Sequence, residues 1–115
     1  LLNGIRILVA ITAFDFSQIP HLEEVVDSYL DLCVVSGIQK LDIVIYTTVA
    51  YSVTLIDLWN TRIPTSCKHN NIFSLTIIVK PYKMRLFLVD CHRYLFYEKL
   101  TDYDLFIYTE DDMVV

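Results

Sequence analysis

Glycine and proline are scarce, at two and three positions in 115 residues. That excludes a collagen-like repeat, a flexible linker and a low-complexity tract. Clustered positive charge is missing too. Lys and Arg total 9 against 14 Asp and Glu, for a formal net charge of −5, and no basic run exists. Nucleic acid is therefore not expected as a partner. No membrane-length apolar run is present. The longest uncharged stretch, Ile43–Ile56, is too short for an ordinary span and is interrupted by Thr and Ser. Cysteine is limited to Cys33, Cys67 and Cys91. Their spacing fits no paired zinc motif, and an odd count does not suggest a complete disulfide framework. Cys33 and Cys91 fall on apolar stripes of candidate helices and read as buried thiols.

What the chain has in quantity is apolar side chains. It is 55% hydrophobic, with a mean hydropathy of +0.47. At this length it is one domain, residues 1–115. A strand pattern begins at Ile5, without a preceding Met, and the chain stops two residues after Met113. Both ends read as those of a fragment, so an anchor or targeting segment is conceivable upstream.

Ile5–Ala13 (IRILVAITA) is a β-branched apolar run, the pattern of a strand covered on both faces. Phe14–Pro20 reads as a loop. Pro20 suits a first helical turn, and Glu23 and Glu24 lie near that helix's positive end. Leu22, Val25, Val26, Tyr29 and Cys33 form one stripe, and Gly37 ends the helix. Leu41–Thr47 is a second buried strand. Val53–Ile63 reads as a helix with Leu55, Leu58 and Trp59 on one side, Pro64–Asn71 as a polar turn, and Ile72–Val79 as a third strand. Lys80–Lys83 is a loop. Arg85–Leu100 is a long helix with Leu88, Cys91 and Leu95 on its buried stripe, and Asp104–Thr109 is a fourth strand. Strands alternating with helices predict an α/β fold: a Rossmann-like three-layer sandwich with a mostly parallel sheet and right-handed crossovers. Ligands of such sheets bind beyond the carboxyl ends of the strands. The candidate positions are then Ala13–Asp15, Thr47–Val49, Lys80–Lys83 and Glu110–Asp112.

The last group stands out. YDLFIYTEDDMVV runs from a buried strand straight into Glu110, Asp111 and Asp112. Adjacent carboxylates repel one another and resist burial. In an extended chain Glu110 and Asp112 share one side and Asp111 takes the other. Two carboxylates on one side make an oxygen-only site suited to Mg²⁺ or Mn²⁺, which keep waters and share phosphate oxygens. The plain alternative is a solvated acidic turn.

DYDLFIYTEDDMVV resembles the metal-binding segment of GT-A-fold glycosyltransferases (nucleotide-diphospho-sugar transferases), which carry an Asp-X-Asp motif or a variant such as Glu-Asp-Asp after a hydrophobic strand. LVDCHRYLFYEKLTDYDLFIYTEDDM is similar to an uncharacterised glycosyltransferase-like group in which a His-Arg helix precedes that motif. RILVAITAFDFSQIPHLEEVVDSYL fits the same group's first strand and helix. The likeness covers nearly the whole chain, but only the amino-terminal, nucleotide-binding half of such a fold. It implies that Asp112 and Glu110 bind metal, and that Glu110 or Asp111 meets the ribose or a metal-bound water. It implies that Ala13, Phe14 and Asp15 cradle the base and ribose, and that Thr47 and Thr48 offer base contacts. The motif opens with Glu rather than Asp, and the longer side chain changes its reach. The implied partners are a nucleotide-sugar donor and a carbohydrate or glycoconjugate acceptor. The implied setting, for a eukaryotic protein, is the ER or Golgi lumen.

Arg85, His92 and Arg93 would offer charge near a diphosphate. Read as structure alone, His92 is a packed histidine on the buried stripe and Arg93 a surface residue. Cys67-Lys68-His69 reads as loop, since two ligands do not make a metal site. Trp59 reads as a buried helix residue, and Lys80 and Lys83 as a solvated loop.

Overall fold

A computed structural model of the chain describes residues 4–13, 19–35 and 37–110. It is an α/β protein with a four-stranded sheet in the order β3-β2-β1-β4. The strands are β1 (Ile5–Ala13), β2 (Ile38–Thr47), β3 (Phe73–Val79) and β4 (Leu105–Glu110), and the helices are α1 (Ile19–Leu30), α2 (Val53–Arg62), α3 (Thr65–His69) and α4 (Leu88–Glu98). Every pairing is parallel. This topology is compatible with a Rossmann-like fold.

β1 is buried from Ile7 through Ala13 because its apolar run serves both faces. The period of two sorts its side chains. Ile7, Val9, Ile11 and Ala13 join Leu41, Ile43 and Ile45 in one cluster with Leu22, Val26 and Leu30 of α1, Trp59 of α2 and Cys67 of α3. Leu8 joins Val44, Tyr46 and Leu88 in a second, with Cys91, Leu95 and Phe96 of α4 packed against it. The helical stripes meet the sheet as their spacing predicts. Leu58 is the exception: it is exposed, while its neighbour Trp59 is fully buried.

Element ends have local causes. The Ser52 hydroxyl accepts the Leu55 N–H at 3.1 Å and caps α2. α1 ends at Leu30, short of Gly37, and a 3-10 turn, Asp31–Val34, carries the chain on. Gly37 then turns into β2 at φ +95°, a conformation that penalises a Cβ. Arg62 of α2 lies 3.3 Å from Asp27 and 3.8 Å from Glu23 of α1, tying the two helices together at the surface.

Two expectations fail at one place. Pro64–Asn71 is not simply a polar turn: Thr65–His69 forms the short helix α3. Cys33 is not a free thiol either. It is joined to Cys67 in a disulfide, with their Cα atoms 6.0 Å apart. Two isolated cysteines 34 positions apart carry no pairing signal; only the packing of the 3-10 turn against α3 brings them together. Cys91 is free and half-buried, as its stripe position suggests.

A buried carboxylate pins the sheet from within. Asp42, the one charged residue in Leu41–Thr47, is 8% exposed. It accepts the Ser74 hydroxyl at 2.6 Å and the Tyr103 hydroxyl, and Lys40 Nζ lies 3.6 Å away. Burial and the bond to Asp42 push the Tyr103 hydroxyl well above its ordinary pKa. At the amino end of β4, Asp104 accepts the Arg6 backbone N–H at 2.9 Å, and its own N–H donates to the Arg6 carbonyl at 2.8 Å. The Arg6 side chain adds two bonds of 3.3 Å. That guanidinium holds the Asp104 carboxyl below the usual carboxylate range.

Candidate functional site: the carboxyl edge at β1 and β4

The order of strands across the sheet reverses at β1. β2 and β3 lie to one side of it, and β4 returns to the other. In open parallel sheets such a reversal leaves a crevice beyond the strand ends. The residues at that crevice are set by register: Ala10 faces Tyr108, Ile11 faces Thr109 and Thr12 faces Glu110. Glu110 therefore lies at the carboxyl end of β4, beside the last turn of β1.

Side-chain alternation puts Tyr108 and Glu110 on the α4 face, together with Thr12. The Tyr108 hydroxyl donates to Glu110 Oε1 at 3.0 Å and lies 3.2 Å from Thr12 Oγ1. His92 of α4 stacks on the Tyr108 ring, with centroids 3.9 Å apart and planes 21° apart. His92 Nδ1 makes a short hydrogen bond to the Val89 carbonyl. A carbonyl only accepts, so Nδ1 carries the proton. Glu110 is half-buried. Among the described residues its carboxylate has this one hydroxyl as a hydrogen-bond partner.

The other expected site residues are distributed as follows. Ala13 ends β1 and is fully buried in the core. Thr47 ends β2, also fully buried; its Oγ1 accepts the Val49 N–H at 3.2 Å and its carbonyl accepts the Lys80 N–H at 2.7 Å. It shapes the post-strand turn. Thr48, one residue on, keeps a buried Oγ1 with no hydrogen-bond partner among the described residues. Arg85 stands in the 3-10 segment Tyr82–Phe87, its guanidinium 4.6 Å from the Tyr82 ring centroid. Arg93 is exposed on α4 and lies 3.8 Å from Asp90. Of the three expected diphosphate contacts, His92 is thus the one packed against the residue that holds Glu110. Phe14, Asp15, Asp111 and Asp112 lie outside the described residues. Among the described residues no group of three His, Cys, Asp or Glu side chains could hold a metal ion together.

Sequence reasoning singled out neither Thr12 nor Tyr108. The signals were there: Thr12 is the polar side chain late in an otherwise apolar strand, and Tyr108 stands two positions before Glu110 on the same side. A cleft of about 550 Å³ runs along α4 on the same face, over Tyr46 and Ile78, with Lys80 and Glu98 among its lining residues. No helix of the described residues is long and apolar enough to cross a membrane.

Fold and edge together define an α/β protein with a half-buried carboxylate at the strand-order reversal. Comparisons of the chain with family models, with curated proteins and with solved structures find no match.

Proposed function

We propose that the chain is the donor-binding half of a metal-dependent glycosyltransferase of the GT-A type, with the layers of a Rossmann-like sandwich. The observation that carries this reading is the position of Glu110. It pairs in register with Thr12 at the carboxyl edge where the strand order reverses, half-buried and with one hydroxyl partner among the described residues. An ionised carboxylate has about four lone-pair sites, so capacity remains for a cation.

In this reading Glu110 and Asp112 hold Mn²⁺ or Mg²⁺, an assignment that suits hard oxygen donors. Asp111 meets the ribose, Ala13, Phe14 and Asp15 border the nucleoside, and Thr47 and Thr48 offer base contacts. A cation held by Glu110 and Asp112 would supply Lewis-acid stabilisation to the charge on the departing diphosphate. Transfer breaks the bond from the anomeric carbon to the diphosphate oxygen and forms one to the acceptor hydroxyl, whose proton passes to a base outside this chain. Arg93 or Arg85 supplies charge to the diphosphate, while His92 is held in its stack on Tyr108. The acceptor is a carbohydrate or glycoconjugate. The Cys33–Cys67 disulfide supports an oxidising compartment such as the ER or Golgi lumen.

Calorimetric titration of the full-length protein with UDP and GDP, with and without Mn²⁺, tests the reading beside the Glu110→Gln/Asp112→Asn double variant. Metal-dependent binding that disappears in the variant is the expected result. A folded wild-type protein that binds neither nucleotide in Mn²⁺ overturns it.

One observation favours a second reading, a non-catalytic nucleotide-binding or interaction domain. Leu86, Phe87, Tyr94 and Tyr97 are 75%, 60%, 74% and 78% exposed, a dense apolar surface around the start and outer side of α4. In that case the double variant binds nucleotide as tightly as the wild type.

A further inference from the structure

We infer that Tyr108 is a positioning residue: its hydroxyl aims the Glu110 carboxylate into the crevice between β1 and β4, and the His92 ring fixes Tyr108 for that task. The inference rests on the donor-site reading above and adds residues to which that reading gives no such role.

The geometry begins with the register. Tyr108 faces Ala10 across the β1–β4 pair, and Ala10 is fully buried. A larger side chain at that position would crowd the root of the tyrosine. With a methyl group there, the phenol can lean along the sheet toward the carboxyl edge and reach both Thr12 and Glu110, at 3.2 and 3.0 Å. The carboxylate only accepts, so the tyrosine proton goes to Glu110. The Thr12 hydroxyl must then donate to the tyrosine oxygen. Two donors in series, Thr12 to Tyr108 to Glu110, polarise one another and strengthen the bond that reaches the carboxylate. Thr12 is fully buried, so its hydroxyl has little alternative in solvent.

The ring is held from above. His92 stacks on it nearly parallel, and Phe96, one helical turn on, meets His92 edge-on at 5.4 Å. Phe96 in turn packs at 5.1 Å on Phe106, two residues before Tyr108 in the same strand. The aromatic side chains thus form a closed circuit between α4 and β4. The His92 bond to the Val89 carbonyl fixes the plane of the imidazole on its own helix. Glu110 Oε1 is committed to Tyr108, which directs Oε2 to whatever occupies the crevice. Hydrogen bonds of this kind to a metal-ligating carboxylate are worth about 10- to 100-fold in metal affinity.

The test measures Mn²⁺-dependent UDP binding by calorimetry, with thermal unfolding alongside, for Tyr108→Phe, Thr12→Val, His92→Ala and His92→Phe in the full-length protein. Tyr108→Phe keeps the ring and the stack and removes only the hydroxyl. It is expected to weaken Mn²⁺-dependent UDP binding about tenfold while the unfolding midpoint stays within a few degrees. Thr12→Val is expected to weaken binding in the same direction by less. His92→Ala should weaken it as well, and His92→Phe should restore it, because stacking rather than imidazole chemistry is what His92 supplies. Wild-type binding that is lost in Glu110→Gln but unchanged in Tyr108→Phe overturns the inference and leaves the donor site standing. Wild-type protein that binds no Mn²⁺–UDP at all overturns both.

Discussion

Asp42 and Glu110 are carboxylates on the same face of the same sheet, and they are treated in opposite ways. Leu8 of β1 faces Asp42 and Thr12 faces Glu110, so along β1 they stand four residues apart, roughly 13 Å. Asp42 is 8% exposed and surrounded by the Ser74 and Tyr103 hydroxyls and the Lys40 ammonium. Its lone pairs are consumed by the fold. Glu110 is half-buried, with one hydroxyl partner among the described residues. At the same end of the sheet lie other closed arrangements: the Arg6–Asp104 pair at the start of β4, and, on the opposite face, the Cys33–Cys67 disulfide in segments that lead into β2 and β3. The amino side of the sheet is locked by bonds that all end inside the protein. At the carboxyl edge Glu110 keeps acceptor capacity beyond its one hydroxyl partner among the described residues. The carboxylates at the first end serve stability; in the proposed reading Glu110 serves a ligand.

Perturbing the locked end should cost stability and leave ligand binding alone. The largest effect is expected from removing the disulfide. Its cysteines are 34 positions apart, and releasing a loop of that size costs about 4 kcal/mol by the chain-entropy model. Denaturant unfolding of Cys33→Ala/Cys67→Ala, or of the wild type with reductant, measures it. Next comes Asp42→Ala, which strands the Tyr103 and Ser74 hydroxyls. A loss of about 2–3 kcal/mol is expected, with Mn²⁺-dependent UDP binding of the remaining folded protein unchanged. If that binding fell as well, the separation of the two ends would collapse.

The open edge should respond in reverse. Glu110→Gln keeps an oxygen to accept the Tyr108 hydroxyl and removes only charge. Its unfolding free energy should stay within about 0.5 kcal/mol of wild type, while Mn²⁺-dependent nucleotide affinity drops at least tenfold. A large stability loss would put Glu110 in the same class as Asp42.

The smallest expected effects are in pH. Arg6 depresses the pKa of Asp104 in the folded state. The pair's contribution is therefore present above the unfolded value, about 3.9, and is lost as pH falls through the lower folded value. The difference in melting temperature between wild type and Asp104→Asn should shrink across that acid window and be flat above it. Tyr103 has the opposite sign. Its folded pKa is raised by burial and by Asp42, so its contribution is complete below about pH 10 and is lost as pH rises beyond that. Tyr103→Phe should flatten the alkaline decline of melting temperature.

Much of the fold was legible because strand runs and helical stripes are local patterns. β1 spans Ile5–Ala13 as its run of apolar residues indicates. β2 begins at Ile38, before the apolar stretch, because Ile38 and Lys40 pair with Ile5 and Arg6 of β1 across a register shift at Gln39, where backbone pairing needs no apolar side chain. α3 escaped notice since a five-residue helix has too few turns to display a period. The disulfide and the Asp42 cluster were illegible for another reason: each depends on residues far apart in the chain, with Asp42 and Tyr103 separated by 61 positions. At the candidate site, the placement of Glu110 at a strand's carboxyl end could be read from the pattern. The tyrosine that holds it could not, because a Tyr in an aromatic run looks like core until the register sets it against Ala10 and Thr12.

The strand order has a consequence for how the chain is made. β1 emerges from the ribosome before the other three strands described but ends up inside the sheet, between β2 and β4. Its neighbour on one flank arrives early. On the other, Arg6 waits for Asp104, 98 positions later, about 5–20 s at ordinary elongation rates. Throughout that interval the strand whose residues Ile7–Ala13 are all buried in the finished sheet has a bare row of backbone donors and acceptors along one side. Slowed translation between β2 and β4 is therefore expected to lower the yield of folded protein, measurable as the soluble fraction from rare-codon and common-codon versions of that segment.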